Sequence, residues 1–242
     1  MKASVGKARV VCILAVCFFL GVAGCSSPTK TETYYPAETY YPLAADRTWS
    51  YRMVVHQGNE ADAPPTLTNT NKVTNLPPQR FEGIAVTPQQ SDVSGQRSNR
   101  LIAVVDDGIA EVATQPDLEA SPIPRRPPNY VLKEPLKVGE SWQAAWQSNQ
   151  FAQTTLIPMT KTVALNDGKI SVPAGEFDGL LLLRIDGHGP VNGPGGLVDV
   201  RVVGEEWFKP EVGLIRGSFR EEVRDYPDNA TRIDLDLTES QR

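Results

Sequence analysis

Apolar and polar positions alternate along much of the chain after residue 43, a pattern typical of β-strands with one buried face. In residues 47–55 the side chains of Trp49, Tyr51, Met53 and Val55 fall on one face. Similar short apolar or alternating runs predict further strands at residues 101–105, 109–114, 160–165, 169–172, 180–185, 198–203, 206–208, 214–219 and 233–237. The sequence therefore predicts a mainly β fold.

Three short segments between predicted strands have the composition of tight turns. Asp106-Asp107-Gly108 and Asn166-Asp167-Gly168 predict hairpins, because glycine accepts the positive φ that such turns require. Pro173-Ala174-Gly175 predicts a turn into a buried strand. Hairpins of this kind join neighbouring strands, so we expect these strands to pair antiparallel.

Four segments depart from the strand pattern. Residues 119–129 are rich in proline, which cannot donate to a β-ladder, and they predict a loop or an edge strand. The polar residues 89–99 and the glycine-rich residues 187–196 predict loops. Residues 141–151 predict a short helix, so we expect one or two short helices beside the sheet.

The first 25 residues have a different composition. Three basic residues precede an apolar run at residues 10–22, and the run ends in Ala23-Gly24-Cys25. This order predicts a bacterial lipoprotein signal peptide, residues 1–24, that is cleaved between Gly24 and Cys25. The run of about 13 residues is too short for a membrane span, which needs about 20. An ordinary secretory signal followed by a chance cysteine is the alternative, and the order of the features disfavours it.

Cysteine usage assigns a role to Cys25. Cys12 and Cys17 lie in the leader, so cleavage leaves Cys25 as the only cysteine of the mature chain. Lipidation of its thiol leaves no disulfide and no cysteine-based zinc site. Residues 25–42 are rich in Ser, Thr and Pro and predict a flexible tether. Residues 43–242 are then a single β-rich domain.

The charge balance narrows the choice of partners. The chain has 29 acidic and 24 basic residues, a net charge of −5, and loss of the three basic residues of the leader makes it −8. An acidic chain lacks the cationic surface that binds nucleic acid. It is not drawn to anionic lipid either, so the lipid on Cys25 has to hold it at the membrane.

Motifs for catalysis, cofactors and metals are missing from the sequence. There is no Gly-x-Ser-x-Gly elbow and no phosphate-binding glycine loop. Of the two histidines, His56 and His188, the second lies near Asp186 and is the better candidate for a hydrolase or a metal site, although a solvated turn residue is the simpler interpretation. The acidic pairs are interpreted as solvated strand ends, because adjacent carboxylates on a strand point to opposite faces: Asp106-Asp107, Glu205-Glu206 and Glu221-Glu222.

The aromatic residues leave two interpretations open. Trp49, Tyr51, Trp142 and Trp207 are candidates for a ligand pocket inside a curved sheet. Ordinary core packing explains the same residues without any ligand.

Four stretches resemble an exported bacterial domain of unknown function that recurs in many lipoproteins. They are residues 41–51, 136–142, 170–178 and 206–216, which contain Trp-Ser-Tyr, Val-Gly-Glu-Ser-Trp, Val-Pro-Ala-Gly-Glu-Phe-Asp and Trp-Phe-Lys-Pro-Glu-Val-Gly-Leu. The resemblance implies one curved antiparallel sheet, similar to the half-barrels of periplasmic lipoprotein carriers that shield acyl chains. It supplies no catalytic residues.

These observations predict a non-enzymatic lipoprotein of the bacterial cell envelope, without cofactor, that is attached to the membrane through its lipid. Since Ser26 rather than Asp follows the cysteine, a Gram-negative host is expected to sort it to the outer membrane, facing the periplasm. A role in envelope structure or in binding an envelope protein is expected first. A carrier or sensor of a hydrophobic ligand is the alternative, and a hydrolase is a third.

Overall fold

The computed structural model describes residues 35–58 and 64–241. The leader, Gly24, Cys25 and the tether as far as residue 34 lie outside these residues. The described residues form the helix α1 (Ala37–Tyr40) and thirteen strands. The strands are β1 (Thr48–Gln57), β2 (Leu67–Asn75), β3 (Gln79–Phe81), β4 (Ile84–Val93), β5 (Gln96–Val105), β6 (Gly108–Gln115), β7 (Ile123–Lys133), β8 (Ser141–Ser148), β9 (Thr155–Val172), β10 (Gly175–Gly193), β11 (Gly196–Lys209), β12 (Gly213–Val223) and β13 (Thr231–Gln241).

All neighbouring strands pair antiparallel, in the order β7-β6-β5-β4-β2-β1-β13-β12-β11-β10-β9-β8, with β3 added beside β4. The first strand pairs with the last, and Thr48 lies opposite Gln241. The two outermost strands, β7 and β8, are consecutive in the chain, so the sheet curves round to bring its own edges together. The result is one antiparallel sheet nearly closed into a barrel, and the predicted mainly β half-barrel is confirmed.

The strands alternate between an inner and an outer face, as the sequence pattern predicts. In β12 every second side chain from Gly213 to Val223 is buried, including Ile215 and Phe219. Tyr51 of β1 lies opposite Leu237 of β13, and both are buried. This period of two places the main hydrophobic clusters inside the barrel.

The predicted hairpin at residues 106–108 is confirmed, and the proline-rich segment ends in β7, an edge strand. Residues 89–99 were expected to be a loop, but they form the β4–β5 hairpin, which turns at Ser94-Gly95. The helix predicted in residues 141–151 is also wrong. Strand β8 occupies most of that segment, with Trp142 and Ser148 among its buried residues, and a short 3-10 turn follows at Gln150–Ala152.

Two glycine-containing segments were expected to be turns or loops and are strands instead. The chain continues through Asn166-Asp167-Gly168 within β9, where the ring of Trp207 lies so close to Gly168 that a Cβ would overlap it. Gly187 and Gly189 lie inside β10, and a Cβ on Gly187 would overlap the backbone of Pro158 and Met159. These glycines allow close approach of a neighbouring residue rather than a change of chain direction.

The tether prediction is corrected for residues 35–42. Ala37, Tyr40 and Tyr41 are buried at 1%, 4% and 8% exposure, and they belong to the same hydrophobic cluster as Trp142 and Leu183. The backbone is held as well, because the Ala37 N–H donates to Glu134 Oε1 at 2.8 Å. The packed domain therefore begins about eight residues earlier than residue 43, and α1 covers one end of the barrel.

We expect Tyr41→Ala to lower the free energy of unfolding by about 3–5 kcal/mol, because the substitution removes a buried ring from the core. Tyr41 also donates a hydrogen bond to Gln89 Oε1 at 2.5 Å, which would be lost. Chemical denaturation measures the change. Tyr35→Ala is the matched control: this side chain is 39% exposed, and its loss should cost less than about 1 kcal/mol. Equal effects of both substitutions would contradict the packing of this segment.

Candidate functional site

The interior of the barrel has one polar wall and one apolar wall. Strands β2, β4 and β5 direct polar side chains inward, namely Asn71, Gln89, Ser91 and Arg100. The facing strands β9–β12 contribute mostly apolar side chains, among them Val163, Leu183, Val202, Phe208 and Phe219. The interior is therefore amphipathic, not the uniformly apolar concave face of an acyl-chain carrier.

A cavity of about 180 Å³ lies between these two walls. The polar wall contributes the four residues just named and Asn129, while Trp49, Tyr51, Phe208, Leu214 and Leu235 contribute the apolar side. Lys161 and Glu206 also reach the cavity. An apolar cavity of about 150 Å³ accommodates benzene, so this volume admits a ligand about the size of one substituted ring.

The four aromatic residues predicted to line a pocket are divided between three places. Trp49 and Tyr51 line the cavity, while their polar atoms donate to the carbonyls of Val212 and Leu214 at 2.7 and 3.1 Å. Trp142 is buried in the core beside α1, and its indole N–H has no hydrogen-bond acceptor among the described residues. Trp207 lies over Gly168 and borders a different, charged groove with Arg216. The structure thus brings two of the four together at the cavity.

Glu111 of β6 is the central member of a charged network on the polar wall. Its side chain is 5% exposed and accepts hydrogen bonds from Arg100 Nε at 2.7 Å, Arg125 Nε at 2.9 Å and Thr114 Oγ1 at 2.6 Å. Burial alone would raise the pKa of Glu111, but Arg100, Thr114 and Arg125 outweigh burial and lower that pKa to about 2. The carboxylate is therefore ionised at all ordinary pH values.

A second ion pair lies inside the barrel, between Lys161 of β9 and Glu206 of β11. The Nζ–Oε2 distance is 2.6 Å, and the two side chains are 6% and 12% exposed. Burial keeps the nearby Tyr51 phenol neutral by raising its pKa above the ordinary value. The cavity lining thus contains two cations, Arg100 and Lys161, and one anion, Glu206.

A separate buried carboxylate lies towards the end of the barrel opposite α1. Glu221 accepts hydrogen bonds from Trp146 Nε1, from Ser148 Oγ at 2.9 Å and from Gln150 Nε2 at 2.7 Å. These donors belong to β8 and to the turn after it, whereas Glu221 belongs to β12. The cluster therefore links β8 and the turn after it to β12.

The candidates for acid–base or metal chemistry do not meet. His188 lies in the middle of β10, exposed and opposite Arg201, while His56 lies on β1 beside Arg232. Two acidic pairs divide between the faces as predicted, since Glu206 and Glu221 point inward and Glu205 and Glu222 outward. Within residues 35–58 and 64–241, no three His, Cys, Asp or Glu residues are placed to hold a metal ion.

The barrel is not closed by backbone pairing between β7 and β8. Instead, the Asn129 side-chain amide of β7 donates to Ala145 O at 3.0 Å and accepts from Ala145 N–H at 2.8 Å. Arg125 adds a hydrogen bond to Gln147 Oε1 at 2.9 Å. We call this junction the seam. A groove of about 750 Å³ lies along it, lined mainly by proline, alanine and the exposed side chains of Ile123 and Leu156.

Sequence reasoning missed the interior polar residues. Arg100 directly follows residues 89–99, which were interpreted as a loop, and its opposite neighbour Gln89 is the first residue of that stretch. Lys161 lies between two threonines of a predicted strand, which was the signal for it in the sequence. In the structure it lies opposite Trp142 on the inner face. Asn129 follows two prolines, which is the signal for an edge strand without its own ladder donors.

In the part of the chain that the structure describes, no helix is long and apolar enough to cross a membrane. Cys25 and Gly24 lie outside that part, so the lipidation site keeps its sequence-based assignment.

No protein-family model and no curated protein matches the chain. Two solved structures are similar over most of its length. A lipoprotein candidate from Parabacteroides distasonis has 12% identity and a TM-score of 0.37, covering 84% of this chain and 98% of its own. An exported-protein candidate with a YmcC-like fold from Bacteroides fragilis has 11% identity and a TM-score of 0.39, covering 84% and 99%. Similarities this distant identify no family.

We expect Glu111 to stabilise the fold in a pH-dependent way. Because the folded state lowers its pKa from 4.5 to about 2, its contribution is complete above pH 4.5 and is lost as the pH falls towards 2. At 1.36 kcal/mol per pKa unit the effect is about 3 kcal/mol. At pH 7 the free energy of unfolding of Glu111→Gln should therefore be lower than that of the wild type. Between pH 4.5 and 2 it should change less with pH than that of the wild type. Glu119→Gln, at an exposed position, should retain the wild-type pH profile; a wild-type profile for Glu111→Gln would contradict this role.

Proposed function

We propose that this protein is a lipid-anchored, non-enzymatic component of the bacterial envelope that docks an extended segment of a partner protein along the seam. One observation carries the docking part of the proposal. The outer edge of β8 has no strand partner in the described residues, and it borders an apolar groove that also has cationic side chains.

The anchor rests on the leader and on Cys25. Two or three acyl chains on this residue, a thioether-linked diacylglycerol and an amide-linked fatty acid such as palmitate, hold a protein stably because each buried CH₂ contributes about 0.8 kcal/mol. Only residues 26–36 separate Cys25 from α1. Fully extended, they reach about 40 Å. A tether of this length would keep the barrel within that distance of the membrane surface, which Ser26 predicts to be the outer membrane in a Gram-negative host.

The edge of β8 is suited to pairing with an added strand. The backbone N–H and C=O of Ala145 both point to the seam, where Asn129 binds them. Since alternate residues of a strand direct their backbone groups to the same side, Gln143 and Gln147 present theirs in the same direction. Strand β7 cannot pair with them along its length, because Pro124, Pro127 and Pro128 lack N–H donors.

The lining of the groove indicates the chemistry of the partner segment. Ile123 is 59% and Leu156 49% exposed, so the groove offers apolar contacts. Arg125 and Arg126 line it and no acidic residue does, because their ion-pair partners Glu111 and Glu82 lie outside the lining, and the Arg126 side chain remains 73% exposed. We infer an extended segment that combines apolar side chains with acidic ones.

The interior favours this role over transport of a hydrophobic ligand. Ligand pockets usually measure about 300–1,000 Å³, whereas the interior cavity measures about 180 Å³ and has a polar wall. The absence of enzymatic activity stays a prediction, supported by the separation of His56 and His188 on different strands.

The anchor is tested by Cys25→Ser. Without the thiol that receives the lipid, the protein should appear in the soluble fraction or remain as unprocessed precursor, as judged by cell fractionation and by the mass of the chain. Cys12→Ser, inside the leader, is the matched control and should remain membrane-bound. Normal cleavage and membrane attachment of the Cys25 variant would rule out the lipoprotein assignment.

The docking surface is tested with two peptides as long as β8, 8 residues, one of alternating Glu and Val and one of alternating Lys and Val. On the full-length protein, the Glu–Val peptide should slow amide hydrogen exchange at Gln143 and Gln147 at least about tenfold, because these N–H groups become ladder donors. The Lys–Val peptide should have little effect.

Two leucine substitutions give the matched control for this experiment. Leu156→Glu places a charge in the groove and should abolish the protection, whereas Leu197→Glu, at a 75% exposed position near the start of β11, should leave it unchanged. Protection that survives Leu156→Glu, or that appears equally with the Lys–Val peptide, would refute docking at the seam.

A further inference from the structure

The cavity inside the barrel contains a guanidinium group whose hydrogen-bonding capacity is largely unused. Arg100 donates to Glu111 through Nε, and no other hydrogen bond from this side chain to the described residues is present. Both terminal nitrogens, Nη1 and Nη2, therefore retain their donors. The side chain keeps 42% of its surface accessible and lines the cavity.

Such an arginine is suited to an anionic group. A guanidinium presents parallel N–H donors that match the two oxygens of a carboxylate. Glu111 uses only its Oε2 atom to bind Arg100, because its Oε1 atom accepts hydrogen bonds from Arg125 and Thr114. Of the charged residues that line the cavity, Arg100 and Lys161 are cationic and Glu206 is anionic, and Glu206 is already paired with Lys161 at 2.6 Å. Arg100 is therefore the cavity cation that still has N–H donors for a ligand, whereas Lys161 is paired with Glu206.

The opposite wall of the cavity is suited to an apolar group. Trp49, Tyr51 and Phe208 present ring surfaces there, and Leu214 and Leu235 complete the wall. The polar atoms of Trp49 and Tyr51 already donate to main-chain carbonyls, so these rings offer mainly apolar contacts to a ligand. With about 180 Å³ available, the ligand is limited to one ring or a short chain.

We propose that the interior cavity binds a small monoanion, with its carboxylate on the free side of the Arg100 guanidinium and its ring or short chain against Trp49, Tyr51 and Phe208. The site lies inside the barrel and is distinct from the seam groove. The proposal goes beyond docking of a partner segment and does not depend on it.

Benzoate is the probe, and benzyl alcohol is its neutral counterpart of similar size. Calorimetric titration of the full-length protein in detergent micelles, corrected for detergent alone, should give saturable binding of benzoate. Benzyl alcohol should bind at least about tenfold more weakly, because it cannot accept two charge-assisted hydrogen bonds from the guanidinium. Equal affinity for the two compounds, or no saturable benzoate binding up to about 50 mM, would overturn the proposal.

Three variants locate the binding. Arg100→Met keeps a long side chain without donors and should weaken benzoate binding at least about tenfold. Arg97→Met is the matched control on the same strand, since Arg97 is exposed and pairs with Asp92, and it should bind as the wild type does. Val73→Phe fills the cavity from β2 and should abolish binding.

Circular dichroism and thermal unfolding establish that each variant is folded. If Arg100→Met does not fold because Glu111 loses a partner, Arg100→Lys replaces it: the charge remains, but the fork is lost, and benzoate should still bind more weakly than to the wild type. Wild-type affinity in folded Arg100→Met or Arg100→Lys, or in folded Val73→Phe, would exclude this cavity as the site.

Discussion

Prolines in β7 prevent that strand from forming a backbone hydrogen-bond ladder with β8, and this constraint determines how the whole sheet closes. Twelve strands pair in one continuous order, so closing the barrel by backbone hydrogen bonds would require β7 and β8 to form the last ladder. Since proline has no N–H to donate, side chains make the junction instead. Asn129 reproduces one pair of ladder hydrogen bonds at Ala145, and Arg125 reaches Gln147.

The same constraint connects the seam to the interior. Arg125, which reaches across the seam, is oriented by Glu111, and Glu111 also binds Arg100 in the cavity. A buried carboxylate between two guanidinium groups is stable only while both remain near it, because an unpaired buried charge is costly. Arg100 on the polar wall is therefore connected through Glu111 to a side chain that closes the barrel.

The sequence predicted the mainly β sheet because alternation directly reflects a buried inner face, as in β1 and β12. It failed where a residue's local preference and its tertiary role differ. Gly168 and Gly187 lie in segments with the composition of turns or loops, but in the structure they lie within strands, where neighbouring residues approach them closely. The sequence offered Trp49, Tyr51, Trp142 and Trp207 either as pocket residues or as ordinary core, and only the first two line the cavity. Arg100 was missed because an inward polar residue and a solvated one look alike in a single sequence.

The position of α1 determines where the described chain enters the barrel. The helix covers the end of the barrel where β7 finishes and β8 begins, as the hydrogen bond from Ala37 to Glu134 shows. Ile123, at the start of β7, and Leu156, near the start of β9, lie towards the opposite end. The groove that these two side chains line is therefore remote from the point where the described residues begin, and a segment docked there would not compete with α1 for the same surface.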